Sequence, residues 1–139
     1  MYQIRKKYHF YAGHRNENLK DKCFNLHGHT YYVDMIFKLP YNEKTGITML
    51  FSAIDKIVDP IIKKLDHSML INVNDPLYKY LKMFVKQENT PLKFTEFNEV
   101  TSAEHLAKYL FNKVKENLPI VKIELKETTS SIVTYEHSN

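Results

Sequence analysis

Three histidines and a glycine carry the strongest chemical signal in this chain: His14, and the triplet His27-Gly28-His29. On a strand, residues 27 and 29 point to the same side, about 6 to 7 Å apart along the backbone. Strand twist and bent metal–nitrogen bonds bring such a pair within reach of one ion, since two zinc–nitrogen bonds end to end span about 4 Å. His14 closes an alternating stretch, Tyr8, Phe10, Ala12, His14, that could pair with the second strand and bring in a third nitrogen. Three imidazoles without a fourth protein ligand make a catalytic zinc pattern, because the open position takes water or substrate. The same triplet in a polar loop would be plain surface chemistry.

Other residues have types that could act beside a metal. Cys23 lies four residues before His27. It could close the metal site as a fourth ligand, act as a thiolate base near a cation, or simply pack. Asp66-His67 could form a proton-shuttling pair, but adjacent residues on a helix do not face each other, so the chain must bend there. A histidine at a helix C-terminus also suits the dipole with no further role. Glu127 continues a face of Val121, Ile123 and Leu125 that reads as buried. A carboxylate there needs a partner, which the paired N–H edge of a purine or pterin ring, or a buried Lys or Arg, would provide. Glu104, near a helix start, is explained by the helix dipole alone.

The elements that must position these groups follow from periodicity. Residues 8–14 and 27–37 alternate as strands, joined by a polar loop over 15–26. From Ser52 the period turns helical, through Ile54, Ile57, Val58, Ile61, Ile62 and Leu65, with Ser52 as N-cap and a kink or break expected at Pro60. Asp75-Pro76 reads as a second helix start, and residues 101–117 as a third helix capped by Ser102. Residues 87–100 carry little pattern. Strands are expected over 121–127 and 131–135. Strand, strand, helices, strand, strand predicts an α+β domain with a four-stranded antiparallel sheet and helices on one face.

Composition bounds the rest. With 139 residues, 43% hydrophobic and 26% charged, the chain fits one soluble domain over 1–139. No apolar run is long enough for a membrane span, and the polar, basic Met1–Lys7 stretch predicts no signal peptide. A single cysteine excludes an internal disulfide and favours a reducing, cytoplasmic setting. The net charge of +4 suits an anionic partner, but the lysines form no stripe, so nucleic acid is not expected. Arg15, Lys20 and Lys22 are the basic residues near the histidines in sequence.

Together these residues resemble the 6-pyruvoyltetrahydropterin synthase and 6-carboxytetrahydropterin synthase family. The landmarks are Phe-Tyr-Ala-Gly-His at 10–14, Cys23-x3-His27-Gly28-His29, Leu65-Asp66-His67, Thr101-Ser102-Ala103-Glu104 and Lys126-Glu127-Thr128. The resemblance runs from Phe10 to Tyr135. It implies a tunnelling fold whose subunits join sheets into a barrel, as a homohexamer made of two trimers. It implies Zn2+ on His14, His27 and His29, with Cys23, Asp66 and His67 catalytic and Glu104 and Glu127 anchoring a pterin. The three residues between Cys23 and His27 are similar to the bacterial 6-carboxytetrahydropterin synthases of queuosine and deazaguanine biosynthesis. The implied reaction turns 7,8-dihydroneopterin triphosphate into 6-carboxy-5,6,7,8-tetrahydropterin, acetaldehyde and triphosphate. The alternatives are a pyruvoyl enzyme that only eliminates triphosphate, and a non-catalytic zinc module closed by Cys23. Three features depart from the family pattern: Leu50 where Asp is usual, Thr101 where Pro is frequent, and a longer 72–100 segment.

Overall fold

The computed structural model describes residues 1–137. Two long strands, β1 (Tyr2–His14) and β2 (His27–Leu39), pair antiparallel along their whole length. Between them, residues Lys22–Phe24 make one turn of 3-10 helix. Then follow helix α1 (Phe51–Leu65), β3 (Ser68–Asn72), α2 (Pro76–Glu88), β4 (Phe94–Phe97), α3 (Ala103–Lys115), β5 (Ile120–Lys126) and β6 (Val133–Glu136).

The α+β class is as expected, but the sheet is not four-stranded and antiparallel. It has six strands in the order β4-β3-β1-β2-β5-β6, with β3 parallel to both β1 and β4. The two added strands are five and four residues long, too short for alternation to register against the helical segments around them. β4 lies within the stretch 87–100 that carried little pattern, and with α2 it accounts for the long 72–100 segment.

One sheet face is covered. Ile4, Phe10, Ala12, Tyr31, Val33, Met35, Phe37, Ile123 and Leu125 are buried on it, beneath the apolar stripes of α1 (Ile54, Val58, Ile62, Leu65) and α3 (Leu106, Leu110, Val114). Helix α2 buries none of its residues, so only two helices form the covering layer. On the other face Arg5, Lys7, His9, Tyr11 and Tyr32 are exposed. There Arg5 donates to both Asp34 and Glu124, at 2.8 and 2.9 Å. A bulge where Ile36 and Phe37 meet β5 shifts the register, so Ile120 rather than Val121 enters the core.

Two expectations about α1 are corrected. Its N-cap is Leu50, which makes no side-chain bond, and Ser52 lies inside the helix. The helix also runs through Pro60 without a break. Lys56 and Pro60 both sit on its exposed side, where water can satisfy the carbonyl that proline leaves unpaired. The other caps follow the sequence: Asp75 accepts from Leu77 N–H, and Ser102 from His105 N–H. No helix among the described residues is long and apolar enough to cross a membrane.

Candidate functional site

The β1–β2 register places His14 opposite His27, and Ala12 opposite His29, all facing the helix-covered side. The end of one strand and the start of the next therefore carry three imidazoles on one patch. Gly28 eases this close pairing, because a Cβ there would lie 3.2 Å from the Ala12 carbonyl oxygen, tighter than an ordinary contact. Gly28 thus lets the strands approach.

One coordinating nitrogen from each of His14, His27 and His29 lies within 4.8 Å of the others. Two of the rings have their tautomer set by the backbone. His14 Nδ1–H donates to the Thr101 carbonyl at 2.8 Å, and His27 Nδ1–H to the Asn25 carbonyl at 2.7 Å. A carbonyl only accepts, so both rings leave an Nε2 lone pair for a metal. The Nε2 atoms of His14 and His29 are 3.1 Å apart, close to the edge of a tetrahedron of zinc–nitrogen bonds, about 3.3 Å.

Burial favours the neutral form of His14 and His29. His14 is 4% exposed, and burial lowers its pKa to about 4, with His27 and His29 adding to the shift and the Thr101 carbonyl opposing it. Burial, then His27, also lowers that of His29. Neutral imidazoles are the form that binds metal ions. The donor set fits a divalent metal.

Glu127, just past β5, stands at this cluster, with its carboxylate 3.8 Å from His14 Nε2 and 3.7 Å from His29 Nε2. Burial raises its pKa, with Glu104 adding to the rise and His27 opposing it. Glu104 is exposed in the first turn of α3 and near enough to Glu127 to act on it. No lysine or arginine among the described residues forms a salt bridge with Glu127. Below the histidines the fully buried Tyr31 stacks on Phe10, and its hydroxyl has no hydrogen-bond partner among the described residues.

Cys23 is not part of the ligand cluster. It is half-buried in the 3-10 turn, its N–H bonded to the Asp21 carboxylate and its carbonyl to Asn16 N–H, both at 2.8 Å.

Asp66 and His67 do meet, through the bend the sequence required. His67 has φ 55°, in the left-handed region, and its Nδ1–H donates to Asp66 Oδ2 at 2.8 Å. The other carboxylate oxygen accepts from Tyr11 N–H at 2.9 Å, and His67 N–H donates to the Tyr11 carbonyl at 2.6 Å. The Tyr11 bond, foremost, and the His67 bond hold the Asp66 carboxyl below its usual range. The His67 ring meets Tyr11 edge-on, with 75% of its side chain exposed. Tyr11 points away from the covered face, so the pair and the histidine cluster lie on opposite faces of one sheet. An open groove of about 650 Å³ passes His67 and Tyr11 and crosses the paired glycines, Gly13 and Gly28.

Sequence reasoning missed the carbonyls of Thr101 and Asn25, because a main-chain acceptor leaves no trace in residue type.

A two-layer fold with paired strand ends bearing three converging histidines defines a class of α+β proteins with a donor set that fits a metal ion. The chain belongs to the 6-pyruvoyl tetrahydropterin synthase family, whose model matches residues 3–138. It is 30% identical to the 6-carboxy-5,6,7,8-tetrahydropterin synthase of Aquifex aeolicus, the match covering 97% of this chain and 98% of the relative. It is 28% identical to the enzyme of the same name from Haemophilus influenzae, over 98% and 99% of the two chains. The fold is similar to the solved 6-pyruvoyl tetrahydropterin synthase of Caenorhabditis elegans, with a TM-score of 0.72, 22% identity, and 99% and 96% of the chains covered.

Proposed function

We propose that this protein is a zinc-dependent 6-carboxytetrahydropterin synthase of the cytoplasm. It converts 7,8-dihydroneopterin triphosphate and water to 6-carboxy-5,6,7,8-tetrahydropterin, acetaldehyde and triphosphate, a step towards queuosine and other deazaguanines. The observation that carries this reading is the convergence of three imidazoles in a chain similar over its full length to enzymes of that name. His14, His27 and His29 would hold Zn2+, which would polarise the side-chain oxygens of the substrate and make neighbouring C–H and O–H groups more acidic.

The chain's own residues do the rest. Glu127 has no lysine or arginine partner among the described residues, and with Glu104 nearby it receives the paired N–H donors of the pterin ring. Cys23 acts as base. In the Asp66–His67 pair, Nδ1–H is committed to the carboxylate, so Nε2 is the atom that takes and returns a proton.

The pair sits on the open face and the cluster on the covered one, so a substrate at the cluster meets the pair of a neighbouring copy. The homohexamer implied by the family resemblance supplies that neighbour, and its joined sheets cover the open face. Neither nucleic acid nor a membrane is needed.

The test is metal analysis together with product identification. Stoichiometric zinc, triphosphate and acetaldehyde from dihydroneopterin triphosphate are expected. Triphosphate without acetaldehyde would assign the pyruvoyl reaction instead. Loss of zinc from Cys23→Ala would assign a closed, non-catalytic site. Mixing inactive His27→Ala and His67→Ala subunits should restore turnover if the parts come from different copies.

A further inference from the structure

We infer that Arg15 is a positioning residue for the Cys23 turn and not a ligand of the triphosphate. Arg15 follows the ligand His14 directly, and as a cation beside the site it is the obvious candidate for an anionic substrate. Nε and Nη2 of its guanidinium are already engaged. Nε donates to Asp75 Oδ2 at 2.7 Å and Nη2 to Asp75 Oδ1 at 2.5 Å, a bidentate fork. Asp75 is 3% exposed and also caps α2 through Leu77 N–H, so the acceptor cannot swing away. The guanidinium also lies over the Phe24 ring, 4.7 Å from its centroid.

Phe24 adjoins Cys23 in the 3-10 turn, and Asn16 N–H holds the Cys23 carbonyl. Glu17 accepts from Asn72 Nδ2 at 2.7 Å, a second tie to the same turn before α2. The loop that bears Cys23 is thus fastened to the Asn72–Asp75 turn through Arg15 and Glu17. A thiol on a polar 12-residue loop, 15–26, would otherwise sample many positions. Lys20 and Lys22 are exposed and form no salt bridge among the described residues, so they are the loop's cations left for phosphate.

This inference rests on the reading that Cys23 takes part in turnover. The test uses zinc-loaded Arg15→Lys, Arg15→Ala and Asp75→Asn proteins, assayed for turnover and for the rate of Cys23 alkylation by iodoacetamide. Lysine keeps the charge but cannot make the fork, and asparagine keeps the helix cap. Arg15→Lys and Asp75→Asn should lower kcat about 10- to 100-fold with KM within about two-fold, as expected for misplacement without loss of substrate contact. Cys23 alkylation should rise several-fold in both. The inference is overturned if Arg15→Ala raises KM, Arg15→Lys restores it, and alkylation stays at the wild-type rate. If no variant, nor the parent, turns over this substrate, a rise in alkylation still supports the positioning role while the proposed reaction fails.

Discussion

The two histidine sites of this chain are built in opposite ways. The cluster of His14, His27 and His29 sits on the covered face, with two rings tied to main-chain carbonyls, and burial disfavours protonation of His14 and His29. His67 is exposed, bonded to a carboxylate, and held in a left-handed conformation that costs a non-glycine residue about 1–2 kcal/mol. The helices delivering the two parts differ as well. Helix α3, which starts beside Thr101, is capped by Ser102, whereas α1, which ends at the pair, begins at Leu50 with no side-chain cap. Burial with fixed tautomers suits a lone pair offered to a metal; exposure beside a carboxylate suits a group that exchanges protons. The same residue type is tuned by its surroundings to two tasks.

The largest effect should come from breaking the covered site. His27→Ala removes one of the three proposed ligands, and zinc affinity should fall by more than about 100-fold, since loss of a mere outer-sphere partner costs about 10- to 100-fold. Competition with a chromophoric chelator measures it. His67→Ala should leave zinc bound while turnover falls about 10²- to 10⁴-fold, the range for a positioned acid–base group. Equal zinc loss in both variants would erase the distinction between the sites.

A pH titration sharpens it further. His14 has a native pKa of about 4 against 6.5 for the free side chain, so as pH falls the unfolded chain takes up the proton first. That contribution to stability is therefore complete above pH 6.5 and is lost as pH falls towards 4. The loss should be about 3 kcal/mol for the metal-free protein, and His29 adds in the same direction. Urea unfolding of metal-free protein across that range checks it, and a His14→Gln variant should flatten the profile. The smallest effect concerns α1: Leu50→Asp supplies the missing cap and should raise stability by about 1 kcal/mol without changing zinc affinity. A thermal melt beside a zinc titration decides that.

Much of the site was legible because its residues obey local rules. His27 and His29 share a face by strand alternation, and the bend between Asp66 and His67 was required before the two could touch. Asp75 and Ser102 cap their helices because a short polar side chain reaches the free N–H groups of the first turn. What failed was non-local. β3 and β4 owe their strand form to parallel partners distant in sequence, and their few residues carry no period of their own. The Pro60 break did not occur because the buried stripe of α1 runs along the other side of the helix.

Residue types and spacing alone therefore determined the candidate histidine cluster, the class of fold and the family resemblance, since alternation along a strand and capping at a helix end depend on neighbours in the chain. Tertiary structure alone decided the six-strand order, the tautomers set by the Thr101 and Asn25 carbonyls, the Arg15–Asp75 fork, and the opposite faces of cluster and pair. Those depend on which distant segments meet, and on where burial shifts the balance between neutral and charged forms.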